Sequence, residues 1–381
     1  MNHEGVYLST KVIININILW GILKFRHDLI IGLLNKGHEE VIIGALDDFS
    51  DNTMDLINEL KIKYYVVNMD RAQINPIKDI LYLLKLISIY MNEKPSIILN
   101  YTVKPNIYGT IAAALTNNKS MATVNGLGSA IIKESYLSKI LQLMYKFAFK
   151  FSNVVLFQNQ DDLTYFVSKN IIKRDKAALV PGSGVDTNKY DLPPINPSRS
   201  LRINFIGRIL RDKGVYEYIE AIKRIKQANI ITTDFYLSGI IDEDNPSGIS
   251  YLQVKEWENQ GIIKYLGRTD DIREFLKISD VVVLPSYREG LSKVLLEAAS
   301  CRRPIIASDV AGCRELVLDE VSGYTCAVRN PGSLHDSLLR MIEMNRDDIK
   351  MMGIKGRKHI HENYRSEIVN KIYLNLIDRL T

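Results

Sequence analysis

The sequence predicts an α/β architecture of two doubly wound parallel sheets, on three observations. Apolar runs of strand length alternate with helical patterns along nearly the whole chain. The strand runs are almost continuously apolar rather than alternating, which marks strands covered by helices on both faces. The alternation occurs as two series, separated by a Pro-rich break near residue 190. Strand–helix alternation builds a parallel sheet with helices on both sides. A chain of 381 residues accommodates two such domains.

The first domain is predicted over residues 1–190. Its strands are Val12–Ile18, Val41–Ala45, Tyr64–Asn68, Ser96–Asn100, Met121–Asn125 and Val154–Gln158. Trp20-Gly21-Ile-Leu follows the first strand, and Phe25-Arg26 comes shortly after. No G-x-G-x-x-G stands there, so a dinucleotide-binding dehydrogenase has no support. Ile77–Asn92 and Tyr136–Lys150 have helical periodicity. Thr102-Val-Lys104-Pro-Asn-Ile-Tyr-Gly109 and Val124-Asn125-Gly126-Leu-Gly128 each follow a strand. In open parallel sheets ligands bind at the strands' carboxyl ends. Lys104, Asn125 and Gly126 are therefore candidates for a cleft site, Lys104 as a phosphate ligand. For Lys104 the plainer reading is a solvated helix-start Lys. Val180-Pro-Gly-Ser-Gly-Val-Asp186 is a tight turn, with Asp186 a cap rather than a catalyst.

Asp191-Leu-Pro-Pro-Ile-Asn-Pro197 reads as the linker. The second domain, residues 191–365, has predicted strands Arg202–Gly207, Asp234–Gly239, Ile262–Leu266, Val281–Pro285, Pro304–Ser308 and Gly323–Val328. Helices are predicted over Val215–Gln227, Leu291–Ser300 and Leu334–Glu343, with a last one over about Ser366–Leu380.

Gly207-Arg208-Ile-Leu-Arg-Asp-Lys213-Gly214 carries Arg208 and Lys213 on the loop after the first of these strands. A guanidinium grips phosphate oxygens through a fork of donors, and an ammonium adds a compact charge. Together they suit a diphosphate. An exposed basic loop is the plainer reading.

Pro285-Ser-Tyr-Arg-Glu289-Gly-Leu-Ser-Lys-Val-Leu-Leu-Glu297 holds two carboxylates eight residues apart. Glu289 falls at a strand-to-helix turn and Glu297 about two turns into the predicted helix. Eight helical residues rise about 12 Å, the distance from the sugar of a nucleotide-sugar to its ribose. Between them lie the N–H groups of a helix start, at Gly290, Leu291, Ser292, Lys293 and Val294, a ready cradle for a diphosphate.

These motifs, in this order, resemble those of the family 4 retaining glycosyltransferases, which have the GT-B fold: two Rossmann-like domains facing a central cleft. The resemblance covers essentially the full length. It implies that Glu289 contacts the transferred sugar and that Glu297 holds the ribose. Arg208 and Lys213 would clasp the diphosphate, with Gly207 and the Gly290–Val294 amides beside them. In GT-B proteins the last helix, here residues 366–381, crosses back to the first domain. The first-domain motifs are similar to those of bacterial members that build O-antigens, capsules and lipid-linked glycans. They are particularly similar to those of transferases adding N-acetylgalactosamine to undecaprenyl-diphosphate sugars, a similarity that includes Phe25-Arg26 and makes Arg26, with Lys104, Asn125 and Gly126, a candidate for an acceptor or cleft site. The implied substrates are a UDP-sugar and a lipid-linked glycan, with no cofactor and no metal. Two features depart from the family. The loop after the first strand lacks its Gly-Gly, and no His stands between His38 and His335. The first-domain group that touches the sugar is left open between Asn125 and Lys104.

Composition sets the remaining limits. The chain is 46% hydrophobic and 24% charged, an ordinary globular balance. Cys301, Cys313 and Cys326 form no disulfide or zinc pattern, which fits a reducing cytosol. Lys24, Arg26, His27 and Asp28 interrupt the apolar residues 12–34, so neither a signal peptide nor a membrane span is expected. Asp242-Glu-Asp244 has the spacing of a metal motif but sits in a polar loop without further ligands. Between Pro95 and Gln160 six Lys stand against Glu134, equal to the whole chain's +5. Lys139, Lys146 and Lys150 share one stripe of helix 136–150. That stripe reads either as a solvated face or as a peripheral anchor to an anionic inner-leaflet membrane. No nucleic-acid motif is present. The alternatives to a transferase are a UDP-sugar epimerase on the same fold and a non-catalytic partner subunit. Retention of Arg208, Lys213, Glu289 and Glu297 argues against both.

Overall fold

The structure, a computed structural model, describes residues 10–46, 51–69, 75–127, 135–196, 200–227 and 233–381. Gly128, Lys133, Glu134 and Pro197 of the motifs above lie outside the described residues. The chain divides into two units: residues 1–183 with 366–381, and residues 184–365. Two parallel sheets form, one in each unit, as the sequence predicts.

The first unit runs β1 (Lys11–Ile18), α1 (Leu19–Asn35), β2 (Glu39–Ala45), α2 (Asp51–Glu59), β3 (Lys63–Val66), α3 (Pro76–Glu93) and β4 (Ile97–Tyr101). A π-helical turn, Pro105–Gly109, leads into α4 (Thr110–Leu115), β5 (Lys119–Val124), α5 (Tyr136–Phe149), β6 (Val154–Phe157), α6 (Gln160–Ser168) and β7 (Ala177–Leu179). The sheet order is β3-β2-β1-β4-β5-β6-β7, and every pairing is parallel. Val12, Ile14, Ile97 and Leu99 are fully buried, as a sheet covered on both faces requires.

The second unit holds β8 (Leu201–Ile206), α7 (Val215–Gln227), β9 (Thr233–Ser238), α8 (Tyr251–Asn259), β10 (Lys264–Tyr265), α9 (Arg273–Ile278) and β11 (Val281–Leu284). Then come α10 (Lys293–Ser300), β12 (Ile305–Ser308), β13 (Gly323–Cys326), α11 (Pro331–Glu343) and α12 (Arg346–Asn363). Its order is β10-β9-β8-β11-β12-β13, again all parallel. Cys301, Cys313 and Cys326 are free and buried here.

The division falls at Ser183/Gly184, before the stretch 191–197 read as a linker. Leu192 and Ile195 are buried in the second unit's core. Arg302 pairs with Asp191, and the Arg303 guanidinium donates to Pro193 O at 2.9 Å. Its apolar residues thus tie this Pro-rich stretch down.

The helix α13 (Ser366–Leu380) belongs to the first unit. Val369, Tyr373 and Ile377 join Leu29, Ile30 and Leu33 of α1 in one core cluster. Asn370 donates to Asp28 O at 2.8 Å, and Lys36 pairs with Asp378 at 3.0 Å.

Candidate active site

Both sheets reverse their winding once, between β1 and β4 and between β8 and β11. Such a switch point opens a crevice at the strands' carboxyl ends, because the flanking crossovers leave in opposite directions. In the second unit the two loops at that point are those of Arg208–Lys213 and of Glu289. They approach closely. A Cβ on Gly214 would lie 2.1 Å from Pro285 O, and Gly214 itself takes φ 79°. The Tyr287 N–H donates to Asp212 O at 2.8 Å, and Tyr287 Oη to Glu217 at 2.7 Å. Burial, then that carboxylate, push the Tyr287 phenol up to about 12.

This bracing brings Lys213 Nζ to 2.5 Å from Glu289 Oε1, with both side chains largely buried. The pair joins two residues that the sequence placed separately, one on the diphosphate and one on the sugar. Arg208 is not part of it. Its guanidinium is about half exposed and lies 4.0 Å from Asp242. The Asp-x-Asp spacing thus places Asp242 opposite a cation. Among the described residues no group of three or more His, Cys, Asp or Glu could hold a metal ion.

The helix after Glu289 starts later than predicted. α10 begins at Lys293 rather than Leu291, because Ser292 is its N-cap and its Oγ accepts the Leu295 N–H. Glu297 therefore lies little more than one turn in, and helical rise covers only part of its separation from Glu289. The turn is held instead by the loop after β12: Glu289 N–H donates to Ala311 O at 3.2 Å and Ser292 N–H to Gly312 O at 2.9 Å. The Ser292 amide is thus taken. Lys293 and Val294 occupy the first turn, where backbone N–H groups have no intrahelical acceptor. The Lys293 ammonium donates to Gly184 O at 2.7 Å.

Glu297 is buried, and its carboxylate accepts the hydrogen bond of Tyr190. Burial, then the Glu297 charge, raise the Tyr190 phenol above its ordinary range. Tyr190 is fixed by its backbone: its carbonyl accepts from Ser300 Oγ and from Arg357, both at 3.0 Å. Asp186 Oδ1 accepts the Asn188 and Lys189 N–H groups, the predicted capping role.

In the first unit, Arg26 comes from α1 and Asn125 follows β5. They meet at 3.2 Å, Arg26 donating to Asn125 Oδ1. Gln158 donates to the same oxygen at 3.4 Å. The Arg26 guanidinium lies 4.2 Å over the Tyr101 ring and 5.9 Å from that of Tyr373, on α13. Its Nε is buried without a hydrogen-bond acceptor among the described residues. Gly126 takes φ 130°, a conformation open to Gly alone. Lys104 is not with them. It pairs at 2.5 Å with Asp79 of α3, both largely buried, so neither a solvated Lys nor a free phosphate ligand describes it. Beside it Thr102 takes φ 72°, strained for a β-branched residue, at the end of β4.

Sequence reasoning missed Tyr190, Asp212, Tyr287 and the 310–313 loop. Only the loop carried a signal, a Gly four residues past a strand end. Gly312 takes φ 80°, and a Cβ there would lie 2.6 Å from the Glu289 carbonyl. Gly312→Ala should destabilise the second unit by roughly 1–3 kcal/mol and displace Glu289. Thermal denaturation checks the first, and far-ultraviolet circular dichroism checks that the chain still folds.

Known proteins resemble both units. Residues 193–359 match the family described as "Glycosyl transferases group 1", and residues 36–159 the family "Glycosyl transferase 4-like". The N,N'-diacetylbacillosaminyl-diphospho-undecaprenol alpha-1,3-N-acetylgalactosaminyltransferase of Campylobacter jejuni is 28% identical, over 94% of this chain and 96% of its own length. The UDP-Gal:alpha-D-GlcNAc-diphosphoundecaprenol alpha-1,3-galactosyltransferase of Escherichia coli is 27% identical over 88% of this chain and 84% of its own. Among solved structures, Anabaena HepE in complex with UDP superposes with a TM-score of 0.77 at 16% identity, over 97% of this chain and 100% of that one.

Proposed function

We propose that this chain, which has the GT-B fold, is a retaining, metal-independent glycosyltransferase. It moves a hexose or N-acetylhexosamine from a UDP-sugar to a glycan on undecaprenyl diphosphate, in surface polysaccharide synthesis. The observation that carries this reading is the Lys213–Glu289 pair on the turn that leads into α10, at the second sheet's switch point. Two relatives named for undecaprenyl-diphosphate substrates support the acceptor class.

The donor lies on the second unit. Glu297, aimed by Tyr190, holds the ribose. Lys213, Arg208 and the amides that open α10 hold the diphosphate, and Glu289 faces the sugar. The bond from the anomeric carbon to the β-phosphate oxygen breaks as the acceptor hydroxyl attacks on the same face. The hydroxyl's proton passes to the leaving diphosphate oxygen, so no side-chain base is needed. Lys213 and the helix N-terminus stabilise the charge that develops there. In the first unit Asn125 and Gly126 face the acceptor, with Arg26 behind them holding Asn125 in place. The enzyme works on the cytoplasmic face of the inner membrane, with basic helix α5 against anionic lipid.

A screen of UDP-hexoses and UDP-N-acetylhexosamines, read by UDP release with and without a polyprenyl-diphosphate sugar, tests the reading. Acceptor-dependent release from one donor is expected, and none from any donor sinks it. Glu297→Gln should weaken UDP binding by about 10-fold, since a hydrogen bond to a charged group contributes ~1.5–3 kcal/mol. The rate at saturating donor should change less than about threefold, as for loss of uniform binding. Calorimetric titration with UDP beside steady-state kinetics separates the two.

A further inference from the structure

α3 is apolar on both faces. Tyr82, Leu86, Ile89 and Tyr90 point into the first unit and are buried. The opposite face carries Ile77, Ile80, Leu81, Leu84 and Met91, each between 55% and 73% exposed. A helix that is apolar all round is ordinarily covered on all sides, and a contiguous apolar patch marks a contact surface. The patch is not confined to one helix. α3 packs beside the π turn and α4, which in turn pack on α5. There Leu143 and Phe147 are exposed and wall an apolar hollow with Ile107, Ile111 and Met144.

Charge says what covers it. Lys78 and Lys85 flank the apolar face of α3, and Lys139, Lys146 and Lys150 are exposed on α5. The carboxylates of α3 are both withdrawn from the surface. Asp79 is buried against Lys104, and Glu93 is buried among Lys11, Lys63 and Tyr65. The π turn, α4 and α5 contain no Asp or Glu. Among the described residues of these elements the surface presents exposed apolar side chains, a rim of Lys and no exposed carboxylate, which makes it complementary to an anionic bilayer.

We propose that the outward face of α3, continued by α5, docks this protein on anionic phospholipid membrane. This deepens the proposed function, because it rests on the acceptor being lipid-linked. It also moves the centre of the contact. The lysine stripe of α5 is the rim, and the apolar side chains of α3 enter the lipid interface.

Flotation with vesicles of phosphatidylcholine alone, or of equal parts phosphatidylcholine and phosphatidylglycerol, tests it at about 0.1 M salt. The full chain should float with the anionic vesicles and roughly tenfold less with the neutral ones. Leu81→Ser/Leu84→Ser should lower anionic binding at least about tenfold. Lys78→Glu/Lys85→Glu should also lower it, and serves if the first variant folds poorly. Both should keep wild-type transfer to a water-soluble, short-chain acceptor. Wild-type protein that transfers sugar but binds no vesicles overturns the docking and leaves the activity standing. Vesicle binding unaltered in both variants overturns it too. So does a dimer in light scattering that Leu81→Ser/Leu84→Ser dissociates, since a second copy would then cover the face. Failure of transfer to every acceptor, with vesicle binding intact, removes the activity instead.

Discussion

Replacing Glu289 with Gln should slow sugar transfer on the order of 100-fold or more, while UDP affinity stays within about threefold. The reasoning starts from charge. As the bond to the diphosphate breaks, positive charge grows at the anomeric carbon, and a carboxylate fixed nearby stabilises it. Gln keeps the shape of the side chain and leaves its backbone N–H on Ala311 O, so the turn persists. It removes the charge. Glu289 also neutralises Lys213 at 2.5 Å, in a setting where both side chains are mostly shielded from water. Without it Lys213, in its proposed role, should hold a leaving diphosphate no less firmly, so ground-state binding of the nucleotide should survive. The measurement is the rate at saturating donor, with UDP titrated separately. If Glu289→Gln and Glu297→Gln both lose only nucleotide affinity, the division of labour between the carboxylates is wrong.

The second large effect concerns stability. Glu40 is buried at the amino end of β2, and neither carboxyl oxygen has a hydrogen-bond partner among the described residues. Burial raises its pKa to about 9. The folded protein therefore keeps the proton at neutral pH, while the unfolded chain loses it above about 4.5. Between those values the unfolded state binds fewer protons than the folded one, so stability falls as pH rises, by ~1.4 kcal/mol per pH unit. At pH 7 the loss amounts to about 3 kcal/mol. Glu40→Gln cannot ionise and should recover most of it, with the gain growing from pH 5.5 to pH 8.5 and absent below about pH 4.5. Urea denaturation of the first unit across that range checks the slope. A wild-type stability that is flat with pH would refute it.

Strand positions were legible because buried parallel strands are continuous apolar runs, and each long one appeared within a residue or two of its predicted place. β7 was not, since its three residues follow the charged stretch Lys173–Lys176. The start of α1 was hidden for another reason. Ile18 precedes it with no side-chain cap, so strand passes into helix without Ser, Thr, Asp or Asn to mark the change. The start of α10 was misplaced although Ser292 was there to be read as its cap. At the site, residue types on adjacent loops were legible, and Arg208, Lys213, Glu289 and Glu297 all came from short motifs. What depends on distant partners was not. Nothing local tells that Arg26 meets Asn125, that Tyr190 aims Glu297, or that Asp79 has claimed Lys104. The exposed face of α3 escaped notice because helical periodicity alone does not tell which apolar side is covered.

The docking of α13 on α1 also orders the protein's birth. Leu29, Ile30 and Leu33 share their core cluster with Val369, Tyr373 and Ile377, which leave the ribosome only after residues 184–365. At ordinary elongation rates that interval is roughly 10–40 s. Throughout it the nascent first unit lacks a wall of its core, and Arg26 lacks the Tyr373 ring beside it. The second unit, contiguous in sequence, can complete itself first. The half of the molecule made earliest is thus the half finished last.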